Sequence, residues 1–415
     1  MKKNRVYDIL EFLLAFFMVL ECRSVYMYST SFAINLQYLF LAVLLLNIVV
    51  RHYKVKRIKK IDIGKFFAIL SYFVIFGIIN VKSANLLQYT MIAGAFIGLN
   101  IFNKTSEAKY SVLKKISQIM TGIAIISLFM YFCGYVLEFI KHTGTVNLSW
   151  GGQHQIKSYF NVFFLAQKGR LFGRATVERN TGVFVEAPMY SLLLTMALAI
   201  ELFLKKEKIN LKKVIILCIT IVTTISSTGI VVMLVELVLR FLYNKRKGMT
   251  NNLKKIILLP VMIVVVASVA SNLLETKSTT DSYTARTDDY VSTLKSFIAK
   301  PIMGHGFGNT QAIVQYMSSK RIENVGRSNS LQVVISEGGL YLFFIYLLGF
   351  GGSIKYSLKT KNFNIFAFSL IIFILFITTN FAYNYILLNF ISMALNKNEE
   401  GLINEEKERS QKLYL

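Results

Sequence analysis

Three cysteines, three prolines, one tryptophan and four histidines are few for a chain of 415 residues, and acidic residues are outnumbered by basic ones, 22 against 47. Each shortage excludes something. Cys22, Cys133 and Cys218 all lie in apolar runs, so neither a disulfide framework nor a CxxC zinc spacing is available. His52, His142, His154 and His305 show no ligand spacing, which makes a metal-independent site without a cofactor the default. Charged residues make up 17% of the chain against 54% hydrophobic, and the mean hydropathy of +0.51 excludes a soluble enzyme. No internal repeat and no low-complexity linker is present. No small-residue cleavage site follows the first apolar stretch, so that stretch is expected to stay as an uncleaved span.

What is present is a series of apolar runs with bases between them. The runs fall near 7–23, 32–50, 63–80, 84–102, 116–140, 187–204, 214–226, 228–243, 256–274, 339–354, 363–381 and 382–395. Run lengths near ~20 residues suit a ~30 Å hydrocarbon core. The expectation is an all-α, polytopic integral membrane protein of about twelve transmembrane helices. One multi-pass domain would cover 1–395, and a mixed-charge cytoplasmic tail 396–415. The net charge of +25 would suggest nucleic acid in a soluble protein, but position excludes that partner. With Lys2, Lys3 and Arg5 inside, the basic blocks 51–60, 104–115, 205–213, 245–255 and 355–361 all fall on the cytoplasmic side. The polar break Ser226-Ser227-Thr228-Gly229 fits a pair of tilted half-depth helices as well as two full spans.

Two long connections, about 141–186 and 275–338, then lie outside, and long loops in compact domains usually carry function. The first holds six Lys/Arg against two acids. A face touching lipid headgroups explains such a balance; an anionic ligand does so more sharply. Arg170, Arg174 and Arg179 recur at spacings close to one helical face, and guanidinium forks suit phosphate oxygens. Apolar residues from Ile156 to Leu165 precede them and could lie in the interface plane, bringing the arginines to headgroup level. The second loop contains Gly304-His305-Gly306-Phe307-Gly308, either a plain turn or a backbone nest for an anion, with His305 as a titrating or merely solvated group. Asp288-Asp289 invites a Mg²⁺ reading, set aside because no third ligand sits at useful spacing. Glu236 and Arg240, four apart within a span, read as a structural pair. Trp150, Tyr159 and Tyr316 fit either stacking on sugar faces or interfacial anchoring.

Arg179-Asn180-Thr181-Gly182-Val183-Phe184-Val185-Glu186-Ala187-Pro188 resembles the Arg-x-x-Gly-x-Phe-x-Glu-x-Pro stretch that enters a span in the O-antigen polymerase and ligase superfamily. Arg286, then Pro301-x-x-Gly304-x-Gly306, then Arg327-Ser328-Asn329-Ser330-Leu331 and Gly338 resemble its other large external loop. Ser226-Ser227-Thr228-Gly229 resembles its Ser-Arg-x-Gly break between two short helices, with Ser227 as the serine and Thr228 in place of arginine. Where that pattern has histidine, this chain has Arg327, so a base cannot be carried over to that position; His305 and Glu186 are the leading alternatives, beside late loss of the acceptor proton without a strong base.

The resemblance implies a Wzy-type polymerase in the cytoplasmic membrane, with its active site outside. Such an enzyme transfers a growing glycan from undecaprenyl diphosphate to the next lipid-linked oligosaccharide. It implies catalytic roles for Arg179, Glu186, His305 and Arg327, and substrate contacts from Arg170, Arg174, Arg286, Gly304, Gly306, Ser328 and Asn329. Membrane lipid surrounds such an enzyme, and a chain-length regulator and a flippase of the same pathway are its expected partners. A composition rich in Lys, Ile, Asn and Phe favours capsule or exopolysaccharide over O-antigen as product. A ligase acting on finished glycan and a lipid-linked sugar flippase are the competing readings. The flippase is disfavoured because most charge lies in loops rather than along a central path.

Overall fold

The computed structural model describes residues 5–29, 32, 35–52, 60–81, 85–105, 110–150, 152–171, 175–205, 209–243, 281–321 and 326–396. The chain is largely helical. Helices α1 (Arg5–Leu20), α2 (Val25–Tyr28), α3 (Leu36–His52), α4 (Lys60–Ile79), α5 (Leu86–Thr105) and α6 (Ser111–Met130) come first. Helices α7 (Ala187–Ala199), α8 (Leu211–Thr223) and α9 (Ser227–Leu242) follow the first long loop. Then come α10 (Asp281–Ala299), α11 (Gln311–Val314), α12 (Ser330–Lys359), α13 (Phe363–Thr378) and α14 (Tyr385–Asn396). One apolar core joins α1, α3, α5, α6, α7, α12, α13 and α14, with Leu14, Phe40, Phe96, Leu193, Phe376 and Ile391 among its buried members. Phe40 stacks on Tyr385 at 3.9 Å between ring centroids, tying the third helix to the last.

The expectation of about twelve spanning helices is corrected. Among the described residues, four helices are long and apolar enough to cross a membrane: Leu86–Lys104, Ser111–Val136, Ala187–Leu204 and Ser330–Lys359. Shorter apolar helices run Leu36–Arg51, Gly64–Ile79, Phe363–Thr378 and Tyr385–Asn396. Apolar run length overstates helix length because run ends unwind into connections. The 7–23 run stops being helical after Leu20, where Arg23 adopts a left-handed φ of 56°. The 382–395 run becomes helical only at Tyr385. A 16-residue helix is about 24 Å long, short of a ~30 Å core. The 256–274 run, the 245–255 block and the tail from 397 lie outside the described residues.

The first long loop also departs from an all-helical reading. Strands β1 (Gly144–Leu148), β2 (His154–Tyr159) and β3 (Phe163–Leu165) form an antiparallel sheet, and β4 (Lys168–Leu171) pairs with β5 (Ala175–Glu178) as a hairpin. Alternation decides it: Val146 and Leu148 point inward between polar neighbours, as does Ile156. Phe164 packs with Val25 and Val185 in a small core beneath the sheet. Arg170, expected on a helical face, therefore lies on a strand, where it pairs in register with Thr176.

Helices α8 and α9 form a short hairpin, as the polar break allowed. α8 has 13 residues, about 20 Å, and ends in a turn where Ile225 has a φ of 51°. The Ser226 side chain caps α9 by accepting from the Gly229 N–H. Because the hairpin stops short, the Arg179–Gly182 loop descends onto its tip: the Asn180 N–H donates to the Thr223 carbonyl at 3.1 Å, and its amide to the Thr223 hydroxyl at 3.0 Å.

Candidate active site

A cavity of about 310 Å³ opens where the C-terminal end of α1, the N-terminal ends of α3, α5, α7 and α12, and the connection before α14 meet. Its charged lining comprises Glu21, Arg23, Arg327 and Glu337, joined by Gln37, Gln88, Tyr383 and Asn384. Two of these positions belong to the turn after α1. That turn is held by sequence-distant backbone: the Val25 N–H donates to Val183 O at 2.9 Å, and the Val185 N–H to Arg23 O at 3.0 Å. Arg23 donates to the Glu186 carboxylate at 2.5 Å, and its guanidinium lies 4.7 Å from the Trp150 ring centroid. Glu21 accepts from the Asn384 amide at 3.3 Å. Burial pushes the Glu21 carboxyl up to about 8, against the opposing pull of hydrogen bonds from Gln37 and the Tyr385 backbone and of the Arg23 charge.

The facing wall is built from a broken helix. Within α12, Gly339 has a φ of 57° and a ψ of −155°, so the first turns up to Gly338 set off from the rest. The 301–308 segment fills the break: the His305 and Gly306 N–H groups donate to the Ser336 and Glu337 carbonyls at 3.0 and 2.9 Å, and the Leu340 and Tyr341 N–H groups to Pro301 and Ile302 at 2.8 and 2.9 Å. A side chain at Gly304 would meet the Glu337 backbone at 2.5 Å, and one at Gly339 the Ile302 carbonyl at 2.5 Å. These contacts explain why the Pro-x-x-Gly-x-Gly spacing carries glycine where it does. The anion held by this loop is the protein's own, since the Gly308 N–H donates to Glu337 Oε2 at 3.1 Å.

Arg327 reaches across the same turns. It donates to the Ser336 hydroxyl and to the Gln332 and Val333 carbonyls at 3.2 and 3.3 Å, with Glu337 Oε1 at 4.0 Å. Its side chain is 5% exposed, and burial lowers its affinity for the proton while the nearby Glu337 carboxylate opposes that shift. Asn329 caps α12 by accepting from Gln332 N–H at 2.9 Å, and Ser328 donates its N–H to Asp289 at 2.9 Å.

The other expected site residues occupy distinct places. Arg179 donates to the Thr224 carbonyl at 2.7 Å, the Ile225 carbonyl at 3.3 Å and the Gln167 side chain at 3.1 Å, and burial pulls its guanidinium down to about 10 while Glu186 opposes the shift. It clasps the tip of the α8–α9 hairpin. Glu186 reaches the cavity wall through Arg23. His305 is buried; its Nε2 lies 2.9 Å from the Ser296 carbonyl, its ring stands 5.6 Å from that of Tyr316, and burial lowers its pKa. Arg286 is exposed on α10. Arg170 lies on β4, and Arg174 falls outside the described residues. Asp289 pairs with Arg321 in a buried contact, while Asp288 accepts from the Ser318 N–H at 3.1 Å. Tyr159 is buried against Gly134, and Trp150 packs edge-on against Tyr28 at 4.9 Å. In α9, both carboxylate oxygens of Glu236 are buried without a hydrogen-bond partner, so its pairing with Arg240 does not form; Arg240 lies instead over the Tyr243 ring.

Of the expected residues, Arg327 lines the cavity; Glu21, Arg23 and Glu337 join it unanticipated. The only sequence signal for the first two was weak: Glu21 and Arg23 are charges at the end of an apolar run, which also holds Asp8 and Glu11.

The fold and cavity define a multi-helix protein with helices able to cross a membrane and a paired-arginine, paired-carboxylate pocket at one end of the bundle. Residues 214–347 match the model of the Wzy_C family, described as O-antigen ligase, so a domain of the O-antigen ligase and polymerase superfamily lies within the chain. The match takes in the α8–α9 hairpin, the Pro301–Gly308 segment and the broken part of α12. No curated protein matches the chain.

Proposed function

We propose that this protein polymerises oligosaccharide repeat units carried on undecaprenyl diphosphate, working at the outer face of the cytoplasmic membrane on the pathway to capsule or exopolysaccharide. The observation that carries the reading is the pair Arg23 and Arg327, 304 positions apart, lining one cavity at the ends of α3, α5, α7 and α12 that lie away from Arg51, Lys104, Lys205 and Lys359. A diphosphate leaving from an anomeric carbon gathers negative charge, and guanidinium groups fixed by packing meet that charge without reorganising. At about 310 Å³ the cavity suits the reacting groups, a diphosphate and its first sugar, with the lipid and the remaining glycan outside it. In this reading the cavity orients an acceptor hydroxyl behind the anomeric carbon, and displacement inverts that centre. Arg179 acts as a positioning residue through Glu186 and the α8–α9 tip.

The matched family description favours a second reading, transfer of finished glycan to another acceptor. The two differ in the acceptor, and glycan size separates them. In a deletion strain of the source organism, surface and lipid-linked glycan is sized by gel, with lanes complemented by the native gene and by Arg327→Ala. Single repeat units on an outward-facing carrier, with a ladder restored by the native gene and at least about 10²-fold less polymer with the variant, are expected. Long polymer retained on its carrier in the deletion strain would establish the ligase reading, and precursors held on the inner face would overturn both.

A further inference from the structure

If the cavity carries out glycosyl transfer, the acceptor hydroxyl must lose a proton there, and the two groups first considered for that task stand elsewhere. Neither Glu186 nor His305 is among the residues lining the cavity. Glu186 is held by Arg23 at 2.5 Å, and the Nε2 of His305 is engaged with the Ser296 carbonyl at 2.9 Å. Two carboxylates do line it. Glu337 is engaged on both oxygens, with Arg327 4.0 Å from one and the Gly308 N–H 3.1 Å from the other. Glu21 sits on a turn rather than in a helix, and its hydrogen bonds come from neutral amides: Asn384 at 3.3 Å, Gln37 and the Tyr385 backbone. Neutral donors orient a carboxylate while leaving it more basic than an ion pair does.

Resting on the polymerase reading, we infer that Glu21 is the catalytic base, with Asn384 and Gln37 as its positioning residues and Arg23 dividing its charge between Glu186 and the departing diphosphate. In the step, the acceptor hydroxyl oxygen bonds to the anomeric carbon as its proton passes to a Glu21 oxygen. The bond from that carbon to the diphosphate oxygen breaks, and its electron pair leaves with the lipid diphosphate toward Arg23 and Arg327. Protonated Glu21 then returns its proton to water. The same desolvation that raises its pKa to about 8 matches it to proton transfer near neutrality. The charged and titratable groups around Glu21 are Arg23, Cys22, Tyr28 and Tyr385, with Arg327, Glu337 and Tyr383 also on the cavity wall. Burial raises the three tyrosines and Cys22 above their ordinary values, and the titration near pH 8 is assigned to Glu21, whose carboxyl burial raises to about 8.

The test uses the full-length protein in lipid nanodiscs, with lipid-linked repeat units extracted from the deletion strain as substrate and undecaprenyl diphosphate as the binding probe. Wild type, Glu21→Gln and Glu21→Asp are compared for polymer formed per folded molecule from pH 5.5 to 9, folding being checked by thermal unfolding. The expected result is at least about 10²-fold less polymer for Glu21→Gln, with probe affinity held within about threefold. Glu21→Asp should restore part of the rate. The wild-type rate should rise toward pH 8 along a limb that Glu21→Gln lacks. A Glu21→Gln protein that polymerises within a few-fold of wild type on the same pH profile overturns the role of Glu21 and leaves the polymerase reading standing. Wild type that binds the probe but joins no units overturns both.

Discussion

The two ends of α1 each carry buried charge, and they differ in what surrounds it. Near the first end, Glu11 pairs with Arg51 and the Ser111 hydroxyl, Lys115 reaches Asp8 at 2.5 Å and Glu11 at 4.0 Å, and the Arg51 guanidinium lies 4.7 Å from the Phe102 ring centroid. These groups close on one another in packing between α1, α3 and α6. At the other end Glu21, Arg23, Arg327 and Glu337 stand around a void of about 310 Å³. Charge buried in a helical bundle is therefore not by itself a mark of chemistry. Where opposite charges close on one another they cement helices, and where the backbone holds them apart around open volume they can receive a charged ligand.

Three substitutions test that contrast. Glu11→Ala removes the carboxylate nearest Arg51 and should cost about 3–5 kcal/mol of stability, read as a lowered Tm in detergent. Its turnover per folded molecule should stay at the wild-type value, and a selective loss of turnover would break the distinction between the two ends. Arg23→Ala takes a guanidinium from the cavity side and should slow polymer formation about 10²-fold, within about 1–2 kcal/mol of wild-type stability. Weakened binding of undecaprenyl diphosphate by this variant sharpens the assignment; unchanged binding and rate would remove Arg23 from the site. Gly339→Ala strains a left-handed residue and presses on the Ile302 carbonyl, at a cost of about 1–3 kcal/mol. Because it displaces the wall carrying Glu337, a several-fold fall in turnover should accompany the loss of Tm.

Much of the site's surroundings was legible in the sequence. The apolar run 187–204 coincides with the Ala187–Leu204 helix, where Pro188 sits in the first turn. The polar break after Ile225 marked the hairpin tip, whereas the Pro-x-x-Gly-x-Gly segment was legible as a turn but not as a loop that packs against the broken α12 backbone. The strands of the first loop were hidden because three to six alternating residues give little periodicity to read beside an apolar neighbourhood. Span number was overstated because hydropathy reports where a chain is apolar, not where its hydrogen bonds stop being helical. Glu21 and Arg23 owe their position to pairing with residues 183–186, some 160 positions on, and no local pattern announces a partner at that distance. In the sequence Glu337 is one acid near the end of the second long connection; its role depends on the backbone break two residues later.

The pinning of α1 at both ends makes its length a fixed gauge. Between Glu11, locked to α3 and α6, and Glu21 at the cavity there are ten residue steps, about 15 Å of rise if the helical spacing is carried through. Adding or deleting one residue in that interval would turn the distal carboxylate by about 100° about the helix axis and move it about 1.5 Å along it. Conservative exchanges among the intervening Leu, Ala, Phe, Met and Val side chains leave the gauge intact, whereas a single-residue insertion or deletion takes Glu21 off the cavity wall.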